Sequence, residues 1–181
     1  GGAGDLDLAL LLADGDVVLL ENTDGVGAFA QAIVAFDGDN DCWSFHVADI
    51  DNDGAPDVVV KDGDDLDWVR NEGAGNWSDE ADIADLADSV TKVLVADVTG
   101  DGLPDVIYID ENPDQPGFAV MANLGGSFAE PLFTVDPVDG LTGVVLAAAD
   151  LDLVGGTDLV VRSTFGDLFI LRNTCLLYTS P

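Results

Sequence analysis

A stretch of thirteen residues, ADIDNDGAPDVVV at 48–60, recurs as ADVTGDGLPDVIY at 96–108 and, less completely, as ADLDLVGGTDLVV at 149–161. An internal period constrains a chain strongly, because each copy must form the same unit and neighbouring units must bury their faces against one another. At the N-terminus GAGDLDLAL (2–10) aligns with GAPDVVV, which places Asp5 opposite Asp57. The ninth-position acids Asp5, Asp57, Asp105 and Asp158 are then separated by 52, 48 and 53 residues. That period fits one β-propeller blade of four short strands.

The remainder of each period supports this. A short apolar strand precedes each complete loop (FHVAD, VLVAD, LAAAD) and a second follows it. A third ends in Asn: VVLLEN to Asn22, LDWVRN to Asn71, FAVMAN to Asn123 and LFILRN to Asn173. A Gly-rich turn and a Gly-x-aromatic step come next, Gly27 to Phe29, Gly75 to Trp77 and Gly126 to Phe128, and are expected to open a fourth, outer strand. The fully represented repeat should place strands near 43–48, 57–61, 66–71 and 77–81. The expected architecture is all-β: a partial propeller of about 3.5 four-stranded blades, with Asp-rich loops between first and second strands. Its repeats would span about 1–42, 43–90, 91–142 and 143–174.

The loops carry chemistry. Asp49, Asp51, Asp53 and Asp57 occupy positions 1, 3, 5 and 9, and carboxylates so close must take up protons or find a cation. Calcium accepts six to eight oxygens, and Gly54 permits the turn that wraps a loop around it. An EF-hand is excluded, because position 12 is Val60 rather than Glu and both flanks read as strands. The second loop offers Asp97, Thr99, Asp101 and Asp105, with one charge fewer. The third offers Asp150, Asp152 and Asp158 but has Val154 at position 5, so weak or no binding is expected there.

The pattern ADIDNDGAPDVVV…LDWVRNEGAGNW, repeated in register over residues 1–174, resembles the FG-GAP and VCBS repeat family, whose blades form the calcium-bearing propellers of integrin α-subunits and of many secreted microbial proteins. The resemblance implies that the Asp49, Asp51, Asp53 and Asp57 side chains and the Ala55 carbonyl ligate one Ca2+. It implies a second ion on Asp97, Thr99, Asp101, Asp105 and the Leu103 carbonyl, with weaker sites at Asp150, Asp152 and Asp158 and at Asp5. It further implies an extracellular, non-catalytic module for adhesion, protein–protein or glycan binding, working with the remaining blades of a parent chain. The alternative is a propeller part or accessory module of a secreted enzyme such as a polysaccharide hydrolase or lyase.

Composition narrows the partners. With 36 Asp plus Glu against 5 Lys plus Arg, the formal net charge is -31, which disfavours nucleic acid and anionic membrane surfaces and favours cations. No run of 18 apolar residues is present to span a membrane. The last seven residues, CLLYTSP (175–181), break the repeat and resemble the translation of a sequencing-library adapter; the alternative is an irregular C-terminal tail. Setting Cys175 aside leaves Cys42 alone, so no disulfide framework is expected. DGDND (37–41) and DGDDLD (62–67) read as solvated turns. His46, without a partner nucleophile, reads as a strand residue. Trp43, Trp68 and Trp77 read as blade packing rather than sugar-stacking platforms, since Val120 and Phe128 hold the positions equivalent to Trp68 and Trp77. No Ser-His-Asp, Cys-His or phosphate-cradling pattern is present.

Overall fold

The computed structural model describes residues 6–38, 42–86, 90–110, 117–134, 144–154, 156–163 and 166–173. Asp5, part of the 37–41 segment and the tail at 175–181 lie outside them. The described residues contain strands, turns and bends and no helix.

Two compact units divide the chain, one of Gly1–Ala48 with Gly54–Leu86 and one of Asp49–Asp53 with Ala87–Pro181. The first unit contains a three-stranded antiparallel sheet of β1 (Leu8–Leu11), β2 (Val17–Leu20) and β3 (Ile33–Phe36). It also contains β4 (Cys42–Ala48), β5 (Asp57–Asp62), β6 (Asp65–Val69), β7 (Asn71–Gly73), β8 (Asn76–Trp77) and β9 (Ala81–Asp85), with sheet order β4-β5-β6-β9 and a small β7-β8 ribbon. The second unit holds β10 (Val90–Ala96), β11 (Asp105–Asp110), β12 (Gly117–Met121) and β13 (Leu132–Thr134) in one four-stranded sheet. A three-stranded sheet of β14 (Val144–Ala149), β15 (Asp158–Arg162) and β16 (Leu168–Leu171) completes it.

The strand that follows each complete loop is a continuous apolar run because it sits inside its sheet, with neighbours on both edges and both faces covered. In β5, Val58, Val59 and Val60 are fully buried, as are Val106 and Ile107 in β11. In the first unit Val58, Val60 and Val69 pack on Val17, Ala35 and Phe36, with Phe45, Val47 and Trp77 around them. The same arrangement in the second unit packs Leu159 and Val161 with Ile107, Ile109, Phe118 and Val120. Each such side chain contributes roughly 1.5–3 kcal/mol when fully buried, so the apolar seams between neighbouring sheets carry the fold.

Register fixes the equivalences between repeats. Leu8 faces Leu20 as Val58 faces Val69, Val106 faces Met121 and Leu159 faces Leu171. The residue before the first of each pair is Asp7, Asp57, Asp105 or Asp158. Asp7, two residues after Asp5, therefore holds in the first repeat the position that Asp57 holds in the second.

Two expectations are corrected. The fourth strand of the second repeat lies at Ala81–Asp85 rather than 77–81, because Trp77 pairs back onto Asn71. Phe29 on Asn22 and Phe128 on Asn123 form the same bridge, and in all three repeats the outer strand begins four residues later. The aromatic closes a small turn, and Trp77 also packs against the first unit's core. The segment 62–67 holds the expected turn between second and third strands, exposed at Asp64 and Asp65, but its last two residues are not solvated. Asp62 pairs with Asp65 around Gly63 and Asp64, Gly63 supplies a left-handed φ of 51°, and the strand runs on so that Leu66 and Asp67 are buried.

Candidate metal-binding loops

The connections β4–β5, β10–β11 and β14–β15 share one backbone course. The fourth residue of each is left-handed, Asn52 at φ 59°, Gly100 at 77° and Leu153 at 59°, and Gly54 and Gly102 at the sixth position are left-handed at 93° and 91°. Gly and Asn tolerate this region readily.

The ninth-position aspartates anchor the loops. Asp57, Asp105 and Asp158 are each wholly buried at the start of their strands. Their Oδ1 atoms accept the backbone N–H of the Asn that ends the third strand: Asn71 to Asp57 at 2.8 Å, Asn123 to Asp105 at 2.9 Å and Asn173 to Asp158 at 2.7 Å. In the first repeat Asn22 donates to Asp7 at 2.7 Å. The Asp105 Oδ2 also accepts the Val98 and Thr99 amides, both at 2.8 Å, and the Asp158 Oδ2 accepts Leu151 N–H at 3.1 Å. The sequence pattern marks these residues as ligands; the structure adds that they tie the loop to the far strand.

The Asn residues form the other half of this clamp. Asn71 Oδ1 accepts Gly73 N–H, and Asn123 Oδ1 accepts Gly125 and Gly126 N–H, which organises the Gly-rich turn. The Asn71 and Asn123 amides donate to the Pro56 and Pro104 carbonyls, at loop position 8. Within the second unit Asn123 also donates to Ile50 O at 2.7 Å and Asn173 to Val98 O at 2.7 Å, so the Asn of one repeat grips loop position 2 of the repeat before it. In the sequence these Asn residues mark only strand ends, although they recur at the same place in every repeat.

The acids differ in how they gather. Asp49, Asp51 and Asp57 place one carboxylate oxygen each within 4.8 Å of one another, and so do Asp150, Asp152 and Asp158. Oxygens around one calcium at 2.3–2.6 Å lie no more than about 5 Å apart, so both groups suit a hard cation. The Asp53 N–H draws the first pair together, donating to Asp49 Oδ1 at 3.0 Å and Asp51 Oδ1 at 3.2 Å. Asp53 itself is outside that three-carboxylate group. In the third loop Val154 N–H donates likewise to Asp152 Oδ1 at 3.0 Å, so an apolar side chain at position 5 still lets its amide organise the acids. Arg172 lies 3.5 Å from Asp152 Oδ2 and competes there with any added cation.

Asp97, Asp101 and Asp105 do not converge in this way. With Thr99 at position 3, Asp97 instead accepts Gly100 N–H at 2.6 Å and Gly102 N–H at 2.9 Å, while Asp101 accepts Leu103 N–H at 2.9 Å. Convergence thus favours the third loop over the second, whereas in the sequence, with three carboxylates in each, the mid-loop Val had favoured the second.

The other singled-out residues lie in strands, and the side chain of Trp43 lies outside the described residues. His46 is half-buried in β4 opposite Val59. The Cys42 thiol is pushed up to about 11 by burial and by the Asp62 carboxylate, which keeps it protonated and poorly nucleophilic. Trp77 joins the first core, and Trp68 lies between Val59 and Ala81 in the sheet.

No curated protein matches the chain in sequence. Two solved structures share its fold. An N-acetylglucosamine-recognising lectin of Agrocybe aegerita matches with TM-score 0.63 and 19% identity over 94% of this chain and 50% of that one. The Tc holotoxin pore of Photorhabdus luminescens matches with TM-score 0.60 and 20% identity over 93% of this chain and 8% of that one. This chain therefore spans half or less of either relative. Both are propeller-like, so the chain shares its fold with propeller-like proteins, and its residues 2–60 match the model of the FG-GAP-like repeat.

Proposed function

We propose that the chain is a non-catalytic, extracellular repeat module in which calcium bound by the loops stiffens the connections between first and second strands, leaving the sheet edges to bind a protein or glycan partner. The observation that carries it is the convergence of three carboxylates in each of two loops beside a backbone clamp. Asp49, Asp51 and Asp57 would hold one ion, with Asp53 and the Ala55 carbonyl close by in sequence; Asp150, Asp152 and Asp158 would hold another. A bound ion supplies positive charge that cancels the repulsion among the acids. Extracellular modules of this kind operate at about 10⁻⁴–10⁻³ M calcium, which matches sites built from three carboxylates and a few neutral oxygens. Fold likeness to a sugar-recognising lectin and to a toxin assembly fits a binding role and leaves the ligand class open between protein and glycan.

Calorimetric titration of calcium into the metal-free chain tests this. Binding should be exothermic or endothermic but saturable, and should weaken markedly in Asp51→Asn. If Asp51→Asn leaves both the calcium stoichiometry and the calcium-dependent rise in Tm unchanged, the loop is a solvated turn.

A further inference from the structure

The apolar seam inside each unit shows how these sheets use their two faces. In the first unit Val58 and Val60, the first and third residues after Asp57, pack with Val69 on Val17, Ala35 and Phe36 of the repeat before. In the second unit Leu159 and Val161, the same positions after Asp158, pack on Ile107, Ile109, Phe118 and Val120. A sheet thus gives the face of its first and third positions to the preceding repeat and its opposite face to the following one.

Two faces lack that neighbour. In the first repeat Leu8 and Leu10 hold the first and third positions after Asp7, and both are 43% exposed, whereas Val58, Val60 and Val106 are fully buried. In the fourth repeat Leu168 and Ile170 stand across from Arg162 and Val160, as Phe118 and Val120 stand across from Ile109 and Ile107. Phe118 and Val120 are buried, but Leu168 and Ile170 are 65% and 54% exposed. Val18, Leu20 and Val34 share the first of these faces, and Ala147, Val160 and Arg162 the second, with no acid among them in a chain that has 36. Apolar sheet faces left open in this way mark interfaces. Arg162 does not bar burial, because Lys61 at the same position of the second repeat is buried with its ammonium on the Gly63 carbonyl.

A hydrogen bond is missing at the same two ends. Asn123 and Asn173 donate to Ile50 O and Val98 O, at loop position 2 of the repeat before each. Asn22 is their equivalent in the first repeat. It is 7% exposed and its Oδ1 accepts Gly25 N–H, but among the described residues its amide nitrogen has no acceptor. Loop position 2 of the fourth repeat is Leu151, whose carbonyl has no donor among the described residues. A buried donor without an acceptor is costly.

We propose that a second copy of this chain covers both faces head to tail, with Leu8 and Leu10 of one copy on Val160, Leu168 and Ile170 of the other, and with Asn22 donating to the Leu151 carbonyl across the contact. Each copy brings to one end what the other end lacks, in apolar face, in register and in hydrogen bond. Such a contact joins unlike surfaces and either closes or runs on as a filament. Two copies, each with four sheets of three or four strands, bring eight sheets together, and propellers close with about 4–8, so a dimer is expected. The inference goes beyond the binding role and uses no calcium.

Sedimentation of the whole chain should show a dimer at about 100 μM that dissociates on dilution. Leu10→Asp and Ile170→Asp, at exposed positions that leave the fold intact, should each raise the dimer Kd by at least about a hundredfold. An equimolar mixture of the two variants should recover a heterodimer, because one seam then pairs the unchanged Leu10 of one copy with the unchanged Ile170 of the other. Val26→Asp, at an exposed turn residue off both faces, should change the Kd by less than about twofold. In the dimer the Asn22 side-chain amide should exchange more slowly with solvent than in Leu10→Asp. A monomer at that concentration, the result if repeats of a longer chain cover these faces, would overturn the proposal. So would a dimer that survives Ile170→Asp, which would mean that like faces meet, an absence of rescue in the mixture, or an equal loss in Val26→Asp.

Discussion

The loops at Asp49 and Asp97 follow the same backbone course and start from near-identical sequence, yet they spend their carboxylates differently. In the first, one amide gathers two acids and leaves three carboxylate oxygens facing a common point. In the second, glycine amides at the fourth and sixth positions take both oxygens of Asp97. The acid is missing at position 3, where Thr99 stands for Asp51, and Gly100 replaces Asn52 beside it. With an acid at position 3, three carboxylate oxygens converge; with Thr99 there, both Asp97 oxygens accept backbone amides instead. An Asp-rich loop can thus be an ion site or a self-satisfied turn, and the donors available to each acid decide which.

The largest effect should come from an acid that amides satisfy. Asp105 accepts three backbone N–H groups, and Asp105→Ala leaves those of Val98, Thr99 and Asn123 without their acceptor in a buried setting. We expect a loss of about 3–5 kcal/mol in urea unfolding, the same with calcium as with chelator. A loss seen only with calcium present would mean that Asp105 acts as a ligand first.

Asp67 is the opposite case, an acid surrounded by other acids. Its folded pKa is raised from 3.8 to about 6, so the folded state holds its proton more tightly than the unfolded state does. The sign follows: the stabilisation is complete below about pH 4, is lost as pH rises towards 6, and stays lost above. Comparing Asp67→Asn with the parent chain in chelator should show the parent falling relative to the variant across that window, by at most about 3 kcal/mol. Parallel pH profiles would show that solvent already screens Asp67.

The two loops themselves are compared through calcium. At a hundredfold excess over Kd a bound ion adds about 2.7 kcal/mol, and Asp51→Asn should remove the first loop's share while changing stability in chelator little. Thr99→Asp should do the converse, restoring the position-3 acid and drawing Asp97 off its glycine amides, so that calcium affinity at the second loop rises by roughly tenfold through added ligand charge. If Thr99→Asp binds no better, the amides around Asp97 rather than residue 99 set the difference.

Much of this was legible in the sequence, and the exceptions share a cause. The all-β character, the strands flanking each loop and the loop acids follow from local pattern: apolar runs, turn residues and spacing. What failed needed knowledge of a partner strand. Asp7 could be told from Asp5 only once Leu8 was seen opposite Leu20. Trp77 has strong strand propensity, but its ring serves the seam with Val58 and Val60, and pairing back to Asn71 moves the outer strand four residues on. DGDDLD reads as solvent-loving text, and no rule of propensity foresees that the two-residue turn ends at Asp64 and leaves Asp67 buried opposite Asp82. Side-chain roles in the clamp were hidden likewise, because an Asp that accepts amides and an Asp that binds an ion are the same letter.

The smallest expected effect isolates backbone from ligand in the third loop. Leu153 occupies the left-handed position that Asn52 and Gly100 fill in the other two, and it is 85% exposed, so it gains no packing to offset the strain. An ordinary L-residue there costs roughly 1–2 kcal/mol, of which glycine recovers part, because its freer unfolded chain returns about 0.5–1 kcal/mol. Leu153→Gly should therefore stabilise the chain by about 0.5–1 kcal/mol, and Leu153→Asn by a similar amount without the extra chain entropy. The reciprocal Asn52→Leu should cost about 1 kcal/mol. Because position 4 offers no side-chain ligand, calcium affinity at Asp150, Asp152 and Asp158 should rise only as far as the relaxed loop holds them together more often. A large gain in affinity together with the gain in stability would show that strain at Leu153, rather than Arg172 beside Asp152, limits the affinity of the third loop.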